Sequence, residues 1–416
     1  MNQAVNIAFW AIYILSLYFA VFWFLVLMLK GFSHSQPKIT KYPFVTIAIP
    51  AYNEEKNIRP TLESVFKLNY PKEKYEIMVI DDGSKDKTSR IVKSMMKENP
   101  QFNIRLIEQA NGGKGSAINQ ALKIAKGEFF IVLDADSYPE HDALIKILPH
   151  FEKSDVAVVL PAMKVWEPKN LLQKIQRSEY IVNMFYKRIM SNLNCVPVIP
   201  GPFSVYRTKI LKSIGGFEKR NLTEDLEITL RLHSKHHKII QLLDPIVYTK
   251  APETPKALYK QRNRWFKGTV LNVLRYRWMA FNREYGDYGM IQIPMTLIAG
   301  LLALGMFGMF LYSAIGPNMT FFKNLFLVKF DIFTLIRNLK FNFNIFDPNY
   351  ALLFSMITMT LMSLIIVYLA HKSLKEKIFK HGIAPFVLFL FAYYLAMGVF
   401  WTGVFINLIT GKQQKW

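Results

Sequence analysis

Phe129–Ser137 reads FFIVLDADS. Five apolar residues run straight into two aspartates one residue apart. A short apolar run bounded by turn-forming polar residues is the signature of a buried strand. The same pattern recurs nearby. Phe44–Pro50, FVTIAIP, is β-branched and ends at proline; Tyr75–Ile80, YEIMVI, is stopped by Asp81-Asp82-Gly83; Asn103–Ile107 is a further run. Between them, Asn57–Lys67, Lys87–Glu98 and Ser116–Ala125 read as helices. Strands alternating with helices predict an α/β fold, a mainly parallel sheet with helices on both faces. In such sheets ligands bind beyond the C-terminal strand ends. The polar clusters fall there: Tyr52-Asn53-Glu54 after the first strand, Asp81-Asp82 after the second, Asp134 and Asp136 after the fourth.

Outside this region the chain is apolar. It has 416 residues, 51% of them hydrophobic, and a formal net charge of +22. Ile7–Leu29 carries no charge and is long enough to cross a bilayer, as are Met290–Ile315, Ala351–Ala370 and Ile383–Ile409. No Lys or Arg precedes the first run and no small-residue cleavage site follows it, so it reads as an anchor. Lys30, Lys38 and Lys41 follow the first span; Lys372, Lys375, Lys377 and Lys380 lie between the last two. The positive-inside rule puts both regions, and the soluble domain, in the cytoplasm of a cell-membrane protein. Phe321–Leu339 is apolar but carries four charges, and is expected to lie on or beside the bilayer. The expected organisation is an anchor and linker (1–41), a soluble α/β domain (42–255), interfacial helices (256–289) and a C-terminal membrane region (290–416). One cysteine, Cys195, excludes an internal disulfide and a cysteine-cage metal site. The basic charge is compatible with nucleic acid, anionic lipid or phosphate-bearing substrates. No nucleic-acid motif accompanies it, and the spans hold few ionisable residues, which argues against a coupled transporter.

Two nucleotide folds fail. No G-x-G-x-x-G follows the first strand, and in Asn111–Ser116, NGGKGS, Glu108 and Gly115 stand where a P-loop needs its first glycine and its hydroxyl residue. Other groupings carry more. Asp134-Ala135-Asp136 suits a turn, but at a strand end in this fold it suits Mg²⁺ or Mn²⁺ shared with phosphates. Asp81-Asp82-Gly83-Ser84 suits a β-to-helix turn and equally an acid that recognises a base or ribose. Thr223-Glu224-Asp225 opens an apolar periodicity; Thr223 has N-cap chemistry and the acids suit the helix dipole, while the functional alternative makes Asp225 a general base. Pro200–Arg207, PGPFSVYR, reads as a loop entering a hydrophobic stretch, either an ordinary turn or a segment whose backbone and aromatic rings contact a sugar acceptor. In Gln261–Trp265, QRNRW, the residues Gln261, Arg264 and Trp265 share one helical face. Trp offers a flat surface for a sugar ring and Arg a fork for phosphate; the alternative is a basic collar at the membrane. Arg262 and Asn263 lie off that face and are expected to tolerate replacement better.

Taken together, IPAYNEE (Ile49–Glu55), DDGS (Asp81–Ser84), NGGKGSAIN (Asn111–Asn119), DADS (Asp134–Ser137), GPFSVYR (Gly201–Arg207), TED (Thr223–Asp225) and QRNRW resemble the family 2 glycosyltransferases. Within these, the resemblance is to the membrane-embedded polysaccharide synthases that make cellulose, hyaluronan and poly-N-acetylglucosamine. It implies a GT-A fold, a UDP-sugar donor, Mg²⁺ or Mn²⁺, and an inverting, metal-dependent hexosyl transfer to a polysaccharide or lipid-linked acceptor. Tyr52, Glu54, Asp81 and Asp82 would contact the nucleoside, Lys114 and Asp134 the nucleotide, and Asp134 and Asp136 the metal. Asp225 would be the base, with Glu224 beside it. Gln261, Arg264, Trp265, Gly201 and Arg207 would serve the diphosphate and the acceptor. Membrane lipids and accessory export proteins are the further partners implied. In one departure, Gly115-Ser116 follows Lys114, where the family often has an alanine-glycine pair.

Overall fold

The computed structural model describes residues 3–31, 37–315 and 350–411, together with Met319 and Leu327. The strands expected from the alternating pattern are β1 (Val45–Ala51), β2 (Tyr75–Asp81), β3 (Ile104–Glu108) and β4 (Phe129–Val132). After an N-terminal helix, α1 (Gln3–Lys30), the helices between these strands are α2 (Ile58–Phe66), α3 (Thr88–Glu98) and α4 (Lys114–Ile124). Four later strands, β5 (Ser137–Pro139), β6 (Val156–Val165), β7 (Ser204–Arg207) and β8 (Lys238–Thr249), complete an eight-stranded sheet of order β3-β2-β1-β4-β7-β6-β8-β5. β1 to β4 pair with one another only in parallel, as does β6 with β8. β7 runs antiparallel to both β4 and β6, and β5 antiparallel to β8. The end of PGPFSVYR is thus a strand rather than a loop.

Side chains alternate across the sheet. Val45, Ile47, Ile49, Ile77 and Val79 meet α2, α3 and α5 (Ala143–Ile147) on one face. Ala48, Met78, Ile80, Phe130 and Val132 meet α4, α7 (Thr208–Ser213) and α8 (Glu224–Ser234) on the other. Burying each of the larger of these side chains is worth roughly 1.5–3 kcal/mol, and together they hold the strands in register. That register levels the strand ends: Ala51 lies opposite Asp81, and Leu133 N–H donates to the Ala48 carbonyl at 2.9 Å. The residues just past each end therefore converge on one edge.

Among the described residues, three segments are long and apolar enough to cross a membrane: Asn6–Leu29, Tyr288–Tyr312 and Leu353–Ser373. They lie in α1, in α10 (Ile293–Ile315) with the turn before it, and in α11 (Tyr350–Ser373). The expected span over Ile383–Ile409 is two helices, α12 (Ile383–Phe391) and α13 (Tyr393–Ile409), bent by 46°. Phe321–Leu339 lies outside the described residues apart from Leu327. The residue that follows α1 and the loop that follows α11 both contact the α/β domain. Past α1, the Gly31 carbonyl accepts from Asn192 Nδ2 at 3.2 Å. Past α11, Glu376 pairs with Lys164 at 2.9 Å and with Arg177 of α6 (Leu171–Ser191), and Lys164 also donates to the Leu374 carbonyl at 3.1 Å.

Candidate active site

The strand ends bring Glu54, Asp134 and Asp136 to the same edge as Lys114, which opens α4. Lys114 Nζ lies 2.5 Å from Asp134 Oδ1 and 3.8 Å from Glu224 Oε1. Burial opposes the Lys114 ammonium, but Asp134, Glu224 and Asp225 outweigh it and hold its pKa above the ordinary lysine value. The carboxyls are in excess. Burial, reinforced by Asp134 and Glu54, pushes the Asp136 carboxyl up. Burial also pushes Glu224 up against the pull of Lys114, and raises Glu54 although Asn57 donates to it at 2.6 Å. Acids crowded on one lysine make a site suited to further positive charge.

The loops around this cluster are tied together by side chains. Asp82 Oδ1 accepts from Gln109 Nε2 at 2.6 Å and from Gly112 N–H at 2.8 Å; Oδ2 accepts from Gly113 N–H at 2.8 Å. Asp82 therefore fixes the loop that delivers Lys114. Asp81 shapes its own turn, accepting from Ser84 N–H at 2.8 Å and from the Ser89 hydroxyl. Asn53, at φ +56°, donates its N–H to Ser84 Oγ at 2.9 Å and accepts from Lys85 N–H at 2.8 Å, stitching the first polar cluster to the second. Tyr52 stands at the rim, 46% exposed. Gly115 has a local reason: a Cβ there would sit 2.5 Å from the Glu218 carbonyl oxygen. The departure from alanine at this position is steric.

Gly201 reaches the cluster and Arg207 does not. A Cβ on Gly201 would lie 2.5 Å from both Asp134 Oδ2 and Lys114 Nζ, so this backbone lies directly against the pair. Arg207 sits at the opposite end of antiparallel β7, facing Phe129 across the ladder. Its guanidinium donates to the Phe151 carbonyl at 2.6 Å and to the Val156 carbonyl at 3.3 Å, and it lies over the Phe129 and Phe151 rings. The expected diphosphate or acceptor contact for Arg207 is corrected to a structural one.

QRNRW lies within α9 (Pro255–Arg275). Thr254 caps it, accepting from Ala257 N–H at 3.2 Å, with Pro255 in the first turn. Arg264 faces the site: its charge acts on Glu224, and Nη1 donates to the Leu222 carbonyl at 3.1 Å. Gln261 Oε1 is buried with no hydrogen-bond partner among the described residues. The expected tolerance of Arg262 and Asn263 is reversed. Both are 1% exposed. Arg262 pairs with Glu179 of α6 at 2.7 Å and lies 4.2 Å from the centre of the Trp265 ring. Asn263 Oδ1 accepts from Asn407 Nδ2 of α13 at 3.0 Å, and Phe266 stacks on Trp401 at 4.9 Å. The face opposite the site is filled by another helix.

Lys187 of α6 is a residue that sequence reasoning missed. It is 7% exposed, has no hydrogen-bond or ion-pair partner among the described residues, and the charge acting on it is that of Asp225. Burial pushes it down to about 8. Arg188 follows it directly on α6, and nothing in the sequence separates the two.

Among the described residues, no group of three or more His, Cys, Asp or Glu side chains could hold a metal ion. Asp134 and Asp136 fit one that takes its remaining ligands from a substrate diphosphate, the usual arrangement for Mg²⁺.

Residues 46–215 match the family model Glycosyl transferase family 2. A beta-monoglucosyldiacylglycerol synthase of Nostoc sp. (strain PCC 7120) is 34% identical over 246 residues, 58% of this chain and 53% of the relative. A poly-beta-1,6-N-acetyl-D-glucosamine synthase of Staphylococcus epidermidis is 32% identical over 237 residues, 56% of each chain. The chain thus spans about half the length of the curated relatives it matches. A mannosyltransferase from Pyrobaculum calidifontis, solved with GDP-mannose and Mn²⁺, superposes over 99% of this chain and 98% of its own, with a TM-score of 0.65 and 18% identity. That likeness shows the fold, and it runs through the apolar helices as well as the sheet. Over residues 46–215 the chain thus matches a family 2 glycosyl transferase domain, on a fold shared with the mannosyltransferase.

Proposed function

We propose that the protein is an inverting, membrane-bound hexosyltransferase that takes its sugar from a UDP-sugar and extends a polysaccharide at the cytoplasmic face of the cell membrane. The observation that carries the reading is Lys114 held between Asp134 and Glu224, with Asp225 adjoining and Arg264 of α9 closing the cluster. Asp225 takes the proton of the acceptor hydroxyl as its oxygen attacks the anomeric carbon. The bond from that carbon to the diphosphate breaks, and UDP leaves with the electron pair. Lys114 and Arg264 offset the charge that grows on the leaving diphosphate, where preorganised cations count most. Asp134 and Asp136 would hold Mg²⁺ or Mn²⁺, which supplies Lewis-acid stabilisation of the same oxygens when bound. Tyr52 and Glu54 line the nucleoside end, and Gln261 and Trp265 the acceptor end.

Processive extension is supported by α9, which lies between this cluster and α13, so an acceptor at Trp265 would sit beside the apolar helices. A second reading, addition of one sugar to a lipid, is favoured by the relative that makes glucosyldiacylglycerol. Membranes incubated with a panel of UDP-sugars and GDP-mannose, scored for nucleotide release and product size, separate the two. A ladder of polymer is the expected result. Product no longer than one added sugar and extractable into solvent establishes the second reading. Asp225→Asn should abolish transfer while UDP still binds; wild-type turnover in that variant removes Asp225 as base.

A further inference from the structure

A second polar assembly lies beneath the Thr223–Asp225 turn, away from the charged cluster. At its centre is Asn272 of α9, 3% exposed. Its Nδ2 donates to Thr223 Oγ1 at 2.9 Å and approaches Asn221 Oδ1 at 3.0 Å. Asn221 Nδ2 donates back to Asn272 Oδ1 at 2.8 Å, while Asn221 Oδ1 also accepts the Thr223 N–H at 3.0 Å. One turn earlier on α9, the Gly268 backbone packs so tightly on the Thr223 side chain that a Cβ would overlap Oγ1. One turn before that, Arg264 holds the Leu222 carbonyl. Residues 264, 268 and 272 recur every fourth position, so they form one stripe on the helix. That stripe grips residues 221–223 immediately before Glu224 and Asp225.

The local chemistry of Thr223 makes the arrangement informative. A threonine at a helix N-cap ordinarily accepts from an N–H of the first turn and so stabilises the helix. Thr223 occupies the N-cap of α8 and makes no such bond. Its oxygen is committed to Asn272, 49 residues away. Local helix stability is forgone, and the orientation of the turn is set by a distant helix instead.

We infer that Asn272 is a positioning residue for the transfer reaction: through Thr223 and Asn221 it sets where the Asp225 carboxylate stands. The inference rests on the proposed role of Asp225 as base. A misplacement of about 1 Å costs on the order of 100-fold in rate. Asn272→Ala should lower kcat by about 10- to 100-fold, with donor KM and UDP affinity within about twofold of wild type. Asn221→Ala, the other half of the amide pair, should repeat the kcat loss, and it serves if Asn272→Ala does not fold. Wild-type kcat in both asparagine variants, with Asp225→Asn inactive, overturns this inference alone. So does a parallel loss of UDP affinity. Wild-type turnover in Asp225→Asn itself overturns the base assignment and this inference with it.

Discussion

Gly201→Ala is the sharpest test of the charged cluster. A methyl at this position would lie 2.5 Å from Lys114 Nζ and from Asp134 Oδ2. Ordinary contact needs about 3.5 Å, so the pair must yield by about 1 Å. Two unit charges attract by about 6–7 kcal/mol at 2.5 Å and about 5 kcal/mol at 3.5 Å, for an effective dielectric near 20. The difference of about 2 kcal/mol is roughly 30-fold in an equilibrium or a rate. The atoms that must move are the ends of two side chains, which swing without disturbing the sheet. The expected result is a fall of roughly 30-fold in UDP affinity or in kcat/KM for the donor, with the melting temperature lowered by about 4–8 °C because the weakened pair belongs to the folded state. Calorimetric titration with UDP, nucleotide-release kinetics and a thermal melt in detergent measure the three quantities. Wild-type affinity together with wild-type kcat/KM would refute the argument, since the added methyl would then have found space without parting the pair.

Arg262→Met should act on stability rather than chemistry. It leaves Glu179 buried and unpaired, which costs about 3–5 kcal/mol and lowers the melting temperature by roughly 6 °C or more. Arg264→Met should lose rate with little change in melting; equal melting losses in the two variants would contradict the two-faced reading of α9. Lys187→Met should raise stability and lower transfer. The folded-state pKa of Lys187 lies near 8 against an ordinary 10.5, so between those values the unfolded chain holds more protons and wild-type stability climbs with pH. Below about 8 the full penalty, about 3 kcal/mol, is present, and the variant should show neither penalty nor climb; an unfolding series across pH checks this. Chelation should stop transfer, with Mn²⁺ or Mg²⁺ restoring it; full activity in excess chelator would remove the metal role of Asp134 and Asp136.

What could be read from the sequence divides along physical lines. Strand positions and the polar clusters at their ends were legible because alternation and strand length are local, and a parallel sheet places all its strand ends together. The direction of β7 was not local. It depends on the pairing of Phe129 with Arg207, and that pairing carries Arg207 to the wrong end of the sheet for catalysis while leaving Gly201 at the right one. The face of α9 opposite the site was likewise illegible. Helical spacing says which residues share a face but not what covers the other one, and here the covering helix begins at Tyr393. Lys187 was hidden because its significance is the neighbourhood of Asp225, which only the tertiary fold supplies.

The basic, aromatic segment Gln261–Trp265 could have been a collar at the membrane or a part of the catalytic apparatus, and the two faces of α9 show why the alternatives are not exclusive. The stripe through Arg264, Gly268 and Asn272 holds the turn that precedes Glu224 and Asp225. The stripe through Tyr259, Asn263 and Phe266 packs against Phe400, Asn407 and Trp401 of α13. One helix is therefore clamped on one side to the acids of the cluster and on the other to an apolar helix. The loop ending α11 is fastened to the same domain through Glu376, so the sheet and the apolar helices meet at more than one joint. A displacement of α13 along its axis would have to be taken up by α9, and α9 is bonded directly to the turn that carries Asp225. In such an arrangement the apolar helices and the Asp225 carboxylate are mechanically linked, which is what the proposed repeated addition at a membrane face would require.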